Sequence, residues 1–374
     1  MNQYYAKVAQ GLETIAAQEL ESLGAQNISP EFTGVSFTGD KTLLYRVNLW
    51  ARTIFRVLVP IAQVRCVNRE VLYKEIKKIP WQQYFSPKNT LAVHCTGTNE
   101  KLKHTHYTAL QIKDAITEQQ IEKFRYRSNI DTKNPQILIN GHIEYNNCIL
   151  SLDSSGSSLH QRGYRLAMGF APLKETLAAA LLEMAEYSPD LPFLDPLCGS
   201  GTLPLEASLK ALNIAPGLFK NQFSFMNWRD FNKSIWQDLL IEAKNSQLTE
   251  LKSIIIGSDK DLEVLSQARN NAEKCGVGDK IRFIQTDLSN LEPPAEKGII
   301  ICNPPYGERL GEVEKLGEFY KMLGDIFKQR FTGWTAFILT GNKQLSKQVG
   351  LRTSGRVPVY NGPIACTLLK YELY

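Results

Sequence analysis

Histidine is scarce in this sequence and missing from its second part: His94, His104, His106, His142 and His160 are all five, and none lies beyond residue 160. Whatever chemistry the second part performs, it uses no imidazole. Seven cysteines (Cys66, Cys95, Cys148, Cys198, Cys275, Cys302 and Cys366) are an odd number, and no two are spaced as Cys-x-x-Cys. That fits reduced thiols, mostly in cores, rather than a metal or redox motif, and no bound metal is expected. Long apolar runs are missing as well. Nothing approaches the roughly 18 residues of a spanning helix. The opening MNQYYAKVAQGLE lacks the basic flank and apolar centre of a secretory signal, so the expectation is a soluble, cytoplasmic protein. Repeats and low-complexity tracts are also absent.

What is present suffices for two or three cores: 374 residues, 43% hydrophobic and 10% aromatic. The net charge of +5 is unevenly held. Residues 1–160 carry 18 Lys and Arg against 14 Asp and Glu, and the rest carry 25 against 24. The excess thus lies in the first part, where contact with a polyanion would use it.

In that first part short β-rich runs alternate with amphipathic helical ones: strands over 4–8, 34–37 and 56–67, helices over 13–23 and 41–50. This is a ferredoxin-like α+β pattern. A second cycle follows, with helices over 70–79 and 107–124, a strand over 91–95, and a hairpin of 137–145 and 148–152 joined across Asn146-Asn147. The polar stretch 153–158 reads as a boundary. From Leu173 the rhythm changes to longer β-α units, with helices over 174–186, 203–212, 261–275 and 311–330. A strand ends at Leu194, and others run over 253–257, 281–285, 298–302 and 335–339. Continuous apolar strands separated by helices imply a parallel sheet covered on both faces.

The run Asp195-Pro196-Leu197-Cys198-Gly199-Ser200-Gly201-Thr202 sits where a strand gives way to a helix. Its glycines permit close backbone approach, and the helix start offers free N–H groups to a nucleotide-like cofactor. Pro204 and Leu205 stand where a dinucleotide fingerprint would place its third glycine. Asp259 closes the next apolar strand, where a carboxylate can accept from both ribose hydroxyls. It lies 64 positions after Asp195, against the usual twenty or so. The extra length holds Ile214-Ala215-Pro216-Gly217-Leu218 and the aromatics Phe223, Phe225, Trp228, Phe231 and Trp236. Asp287, after the following strand, is placed to accept from an adenine amino group. Each acid has a plainer reading as a helix cap, but three in register at successive strand ends favour a nucleoside site.

Asn303-Pro304-Pro305-Tyr306 follows the strand 298–302 and is the most specific signal in the chain. An exocyclic base amine is a poor nucleophile, because its lone pair is delocalised into the ring. Two acceptors gripping its hydrogens would turn that pair toward a methyl donor. The Asn303 side-chain oxygen and the Pro304 carbonyl are the natural pair, since proline fixes the backbone and adds no donor. Tyr306 offers a face on which a flipped base can stack, worth roughly 1–3 kcal/mol. The plain alternative is a turn that merely ends a strand. Cys302 ends an apolar strand instead of following a proline in a loop, and is read as core packing, not as a nucleophile.

With both motifs in place, the sequence resembles the THUMP-containing RNA guanine-N2 methyltransferases, most closely the guanine-modifying half of the bacterial large-subunit ribosomal RNA enzyme. The resemblance spans nearly the whole length. It rests on His160-Gln161-Arg162-Gly163-Tyr164-Arg165, on Ala171-Pro172-Leu173-Lys174-Glu175-Thr176-Leu177-Ala178-Ala179-Ala180, on the DPLCGSGT loop, on the 214–218 insertion, on Gly257-Ser258-Asp259, and on NPPYGERL from Asn303 to Leu310. It implies an α/β protein with a Rossmann-type class I methyltransferase domain at 173–374. Before it would come a ferredoxin-like region at 1–55, a THUMP RNA-binding domain at 56–155 and a linker at 156–172. S-adenosyl-L-methionine would be the cofactor, lined by Asp195, Pro196, Cys198, Gly199, Ser200, Gly201, Thr202, Asp259, Asp287 and Asn303. Asn303, Pro304, Pro305 and Tyr306 would hold the base, a guanine methylated on its 2-amino group in 23S ribosomal RNA. Some relatives are fused to a second methyltransferase and one is expected here, which leaves ribosomal against transfer RNA open.

Candidate RNA contacts are Lys101, Lys103, His104, Lys113, Lys123, Arg125 and Arg127, with Tyr126 between the last two. Any one alone is an ordinary solvated charge. The cluster counts because an RNA-modifying domain follows it. Arg162, Tyr164 and Arg165 are placed to touch either RNA or the methyltransferase core. Two rival readings are an adenine-N6 DNA methyltransferase and an inactive RNA-binding scaffold. The first shares Asn-Pro-Pro-Tyr, but the front part shows no helix-turn-helix. Against the second stand the loop, the acids and the Asn303 turn together.

Overall fold

The structure is a computed structural model that describes residues 1–165, 173–307 and 312–374. Ala171 and Pro172, Glu308 to Leu310, and the expected start of a helix at Gly311 lie outside the described residues. The chain divides into two compact units. One holds Met1–Val8, Ala17–Leu159 and Lys220–Ile241, the other Ala9–Ala16, His160–Phe219 and Glu242–Tyr374. No helix among the described residues is long and apolar enough to cross a membrane.

The first unit is built on seven strands, β1 (Asn2–Lys7), β2 (Gln26–Glu31), β3 (Gly34–Gly39), β4 (Arg56–Arg65), β5 (Leu91–Thr96), β6 (Ile137–Glu144) and β7 (Asn147–Asp153). Their order is β2-β3-β1-β4-β7-β6-β5, antiparallel except for β5 and β6. The helices along this stretch are α1 (Glu13–Ser22), α2 (Lys41–Trp50), α3 (Arg69–Lys78) and α4 (Thr105–Phe124). Local chemistry sets their starts: the Asp40 and Asn68 side chains accept from the N–H groups of Leu43 (2.7 Å) and Val71 (2.9 Å), as N-caps do. Alternation sets the strands. On β3, Val35 and Phe37 are buried while Ser36 and Thr38 are less so.

Two features of residues 1–159 differ from the sequence reading, which also named no strand after 335–339 and so missed the last two strands of the chain. Strand β2 went unforeseen, because QNISPE is a mostly exposed edge strand holding a proline and has no apolar alternation. The β6–β7 turn is Tyr145-Asn146, one residue earlier than expected. Glu144 pairs with Asn147, so the left-handed position falls on Tyr145 (φ +53°), whose carbonyl accepts from the Asn99 side-chain amide at 3.1 Å.

Lys220–Ile241 lies inside the range expected for the methyltransferase domain, yet it belongs to the first unit. Its aromatics explain why. Phe225 stacks on Tyr45 with ring centres 4.4 Å apart and on Phe223 at 5.3 Å, and Trp236 meets Phe225 edge-on at 5.2 Å. Phe223, Phe225 and Tyr45 are all fully buried. The aromatic cluster in the insertion is thus core for the first unit.

The second unit holds β8 (Phe193–Asp195), β9 (Ile255–Asp259), β10 (Ile281–Gln285), β11 (Ile299–Cys302), β12 (Thr335–Thr340), β13 (Gly355–Asn361) and β14 (Ile364–Glu372). Helices α5 (Glu175–Met184), α6 (Thr202–Ala211), α7 (Lys233–Asn245, its residues up to Ile241 counted in the first unit), α8 (Leu262–Lys274), α9 (Glu312–Arg330) and α10 (Lys343–Gln348) intervene. The order is β10-β9-β8-β11-β12-β14-β13. Five strands are parallel, as expected, and β14 with β13 forms an antiparallel pair at one edge. The parallel strands are apolar because they are covered on both faces: β11, Ile-Ile-Ile-Cys, is buried throughout.

Candidate active site

The second sheet reverses direction at β8. The chain runs outward through β9 and β10, then returns to lay β11 and β12 on the other side. Loops leaving β8 and β11 at their carboxyl ends therefore start side by side, which is where open α/β sheets bind ligands. Register fixes their level: Leu194 pairs with Ile300 and with Ile256, and Asp195 with Gly257. The glycine loop and the Asn303 turn open at the same end of adjacent strands, with Asp259 the last residue of β9, paired with Gln285 of β10.

The loop is tied down by its backbone. Cys198 N–H donates to the Ser258 carbonyl (2.9 Å) and Gly201 N–H to the Cys198 carbonyl (2.8 Å). Gly199 and Gly201 have φ of +50° and +83°, in the region that glycine enters at no steric cost. Their surroundings differ. A β-carbon at Gly201 would stand 3.0 Å from the Ala268 β-carbon and 3.3 Å from the Phe283 ring, whereas at Gly199 it would meet nothing within 4 Å. Gly201 lets the loop pack on its neighbours, and Gly199 faces open space. The Cys198 thiol is buried, and burial pushes its pKa up. Cys302 is wholly buried in the core, as its place on β11 suggested.

The three acids separate cleanly. Asp261, not Asp259, caps α8, accepting from the N–H groups of Glu263 (2.8 Å) and Val264 (3.4 Å). Asp259 instead takes Gly199 N–H on Oδ2 and Asp261 N–H on Oδ1, each at 3.0 Å, and every carboxylate oxygen has a further lone pair to offer. Asp287 follows the plainer reading: its Oδ1 accepts from the Ser289 N–H (2.9 Å) and hydroxyl (2.7 Å), starting a short 3-10 turn. Those two bonds hold its pKa below the usual carboxylate value.

Asp195 is buried, and burial, reinforced by the charge of Asp259, raises its pKa well above the usual value even though Leu197 N–H donates to it at 3.1 Å. A carboxyl raised in this way contributes its full stability below the unfolded-state pKa of about 4, and loses it as pH rises through the folded value. Asp195→Asn, which cannot ionise, is therefore expected to gain stability relative to the parent as pH rises from about 4 toward the raised folded value in denaturant titrations. A difference that shrinks or stays flat over that range would place a charged Asp195 in the native state.

Around the Asn303 turn, Tyr320 donates its hydroxyl to the Pro305 carbonyl (3.2 Å), and the Asn342 amide donates to the Tyr306 carbonyl (3.2 Å). Among the described residues the Pro304 carbonyl has no such partner. The Tyr306 hydroxyl donates to Asn303 Oδ1. Its ring is half-buried against the core beside Gly341, with Asn361 and Cys366 near the hydroxyl, and burial raises its pKa. The tyrosine expected as an open stacking platform thus holds the asparagine by its acceptor.

A family model described as an RMKL-like methyltransferase domain matches residues 162–370. The chain belongs to the RMKL-like methyltransferase family. Models of the THUMP domain and of the RlmL ferredoxin-like domain match residues 66–153 and 3–58. A candidate RNA methyltransferase of Synechocystis sp., slr0064, is 56% identical over 99% of this chain and 97% of its own length. The ribosomal RNA large subunit methyltransferase K/L of Syntrophotalea carbinolica is 39% identical over 99% of this chain, which spans only 53% of that enzyme. Among solved structures, that of the methyltransferase-like SMU.472 in complex with SAH superposes with a TM-score of 0.89 at 27% identity, over 100% of this chain and 98% of its own.

Within the methyltransferase domain of this RMKL-like protein, the motif from Arg162 to Arg165 corrects the expectation of RNA contact. Arg162 is only 2% exposed. Its Nε and Nη2 lie 3.4 and 3.5 Å from the two carboxylate oxygens of Glu206 on α6, and the buried Tyr164 hydroxyl donates to the same carboxylate at 3.1 Å. Gly163 has φ +101°, and a β-carbon there would come within 2.6 Å of the Phe219 carbonyl. Arg165 points inward as well, onto Thr202, Leu173 and Glu175. Isolated buried charge is too costly to persist, so arginines that sequence alone left as surface candidates are core groups paired with glutamates.

In the THUMP region the basic candidates fall into two groups. Lys101, Lys103 and His104 are exposed just before α4, and Lys123, Arg125, Tyr126 and Arg127 are exposed at its end. Twenty residues of helix separate the groups by roughly 30 Å. Lys113 lies in the first half of α4, paired with Asp114 at 2.5 Å. It borders a cleft of about 500 Å³ lined also by His94, Cys95, His106, Leu110 and Ile130. Sequence reading missed this cleft, because its walls come from β5, α4 and the segment after α4.

Proposed function

We propose that this protein transfers a methyl group from S-adenosyl-L-methionine to the exocyclic 2-amino group of a guanine in large-subunit ribosomal RNA. One observation carries the reading: the glycine loop after β8 and the Asn303 turn after β11 leave adjacent strands at the switch point of the sheet. The name of the K/L relative and the SAH in the SMU.472 structure support the same reading.

The residues fit such a cofactor. Open space over Gly199 admits a ligand to the backbone, and the Asp259 oxygens keep lone pairs for ribose hydroxyls. When bound, the cofactor supplies an electrophilic methyl group on a sulfonium. The chain's own residues prepare the amine. Asn303 Oδ1 has two lone pairs, one occupied by the Tyr306 hydroxyl, so the second can accept an amine hydrogen while the Pro304 carbonyl accepts the other. With both hydrogens held, the nitrogen lone pair is turned out of the ring plane. The nitrogen–methyl bond would form as the sulfur–methyl bond breaks to a neutral thioether, and the cationic, acidic nitrogen would then give its proton to water without a side-chain base, in keeping with the lack of histidine after residue 160. RNA would dock through the exposed basic residues before α4 and the cleft beside it, phosphate contacts supplying affinity.

Two measurements test this. Labelled donor offered separately to ribosomal RNA, transfer RNA and duplex DNA should mark the large-subunit RNA, and digestion should release N2-methylguanosine. Label entering DNA alone would reject the proposal. Asp259→Ala should weaken donor binding by at least about tenfold, the loss of hydrogen bonds to a charged group. Asp261→Ala should cost about 1 kcal/mol of helix stability and leave donor affinity unchanged. Equal donor affinity in both variants would remove Asp259 from the site.

A further inference from the structure

We infer that Arg165 is a positioning residue for the glycine-rich loop, tying the segment before α5 to the first residue of α6 and so setting how tightly the donor is held. The inference rests on the cofactor reading above. Arg165 Nη2 donates to the Thr202 hydroxyl (2.9 Å) and the Leu173 carbonyl (3.0 Å), and its Nε lies 3.3 Å from Glu175 Oε1. The guanidinium is largely enclosed, its side chain 14% exposed and that of Glu175 5%. Thr202 itself is buried and follows Gly201 directly.

The rest of the loop has its own anchors. On the strand side, Cys198 and Gly199 are bonded to Ser258 and Asp259. On the α8 side, the Asn271 amide donates to the Ser200 carbonyl at 3.1 Å. Arg165 supplies the anchor at the helix end. A guanidinium suits this place because its planar Nη2 group meets two acceptors at fixed angles while its charge lies beside Glu175, which an ammonium on a flexible stem does not reproduce. Glu175 stands beside the guanidinium as the countercharge. Arg165 need not touch the donor: by fixing Thr202 it fixes where the first N–H groups of α6 point, the groups a cofactor at this loop would use.

Calorimetric binding of SAH to the full chain, with steady-state kinetics beside it, tests the inference. Arg165→Gln should raise the SAH Kd about tenfold or more, the effect of losing a charge-assisted hydrogen bond. The donor KM should rise in parallel, with kcat at saturating donor changed less than about threefold. Thr202→Val removes only the accepting hydroxyl at nearly constant volume, so it keeps the test open should Arg165→Gln fold poorly. The double variant should bind no more weakly than the worse single one, because both remove the same contact. Arg165→Lys should recover part of the affinity. SAH affinities within about twofold of the parent in both Arg165→Gln and Thr202→Val would overturn the inference while leaving the cofactor reading intact. A parent chain that does not bind SAH would overturn both.

Discussion

Asn303→Ala is expected to lower methyl transfer by about a thousandfold, with SAH affinity within about twofold of the parent. Removing one preorganised hydrogen-bonding group aimed at developing charge costs about 100- to 1,000-fold in kcat, and in the proposed reaction the charge would develop on the nitrogen held by Asn303. The substitution also frees the Tyr306 hydroxyl, which donates to the lost oxygen. Two defects then coincide: one amine hydrogen has no acceptor, and the half-buried tyrosine loses its partner. Tyr306→Phe separates them. It leaves Asn303 in place but no longer held, and transfer should fall about tenfold, the size of one hydrogen bond's contribution. Single-turnover assays with saturating RNA and donor read both effects. Wild-type turnover in Asn303→Ala would end the amine-gripping role, and weaker SAH binding with normal turnover would move Asn303 to the cofactor.

The largest stability effect is expected at Arg162. Truncation to alanine leaves the Glu206 carboxylate buried without its countercharge, the Tyr164 hydroxyl still donating to it. Breaking a buried ion pair from one side costs roughly 3–5 kcal/mol. Removing the charges together should cost much less, because well-packed apolar groups of similar volume replace buried pairs at little or no loss. Arg162→Met combined with Glu206→Leu and Tyr164→Phe should therefore be more stable than Arg162→Ala alone. Guanidinium unfolding followed by a probe in the methyltransferase domain distinguishes the two. If Arg162→Ala lost less than about 1 kcal/mol, the value typical of exposed pairs, the guanidinium would have to reach water in the native state.

The contrast between Arg162 and Lys101 shows where reading a sequence stops. Both are basic residues in a chain with a small positive excess, and nothing local to either says which is solvated. Glu206 is 44 positions from Arg162, and only the packing of α6 brings it there. Asp259 and Asp261 pose the same difficulty two residues apart. Both sit at a strand's end before a helix, and only the path of the Gly199 loop decides that one caps while the other faces the loop.

The sequence by itself determined whatever depends on near neighbours. Apolar continuity marked the parallel strands, periodicity marked most helices, and two short motifs marked the loops proposed to carry the chemistry. These are legible because backbone hydrogen bonding and side-chain alternation act over a few residues. Tertiary structure alone decided three things. Lys220–Ile241 joins the first unit through rings stacked on Tyr45. The Arg162 to Arg165 motif turns inward onto glutamates of α5 and α6. The basic residues around α4 stand in two groups instead of one. In each case the deciding energy is burial or charge pairing between residues far apart in the chain, and such terms exist only once the fold has brought them together.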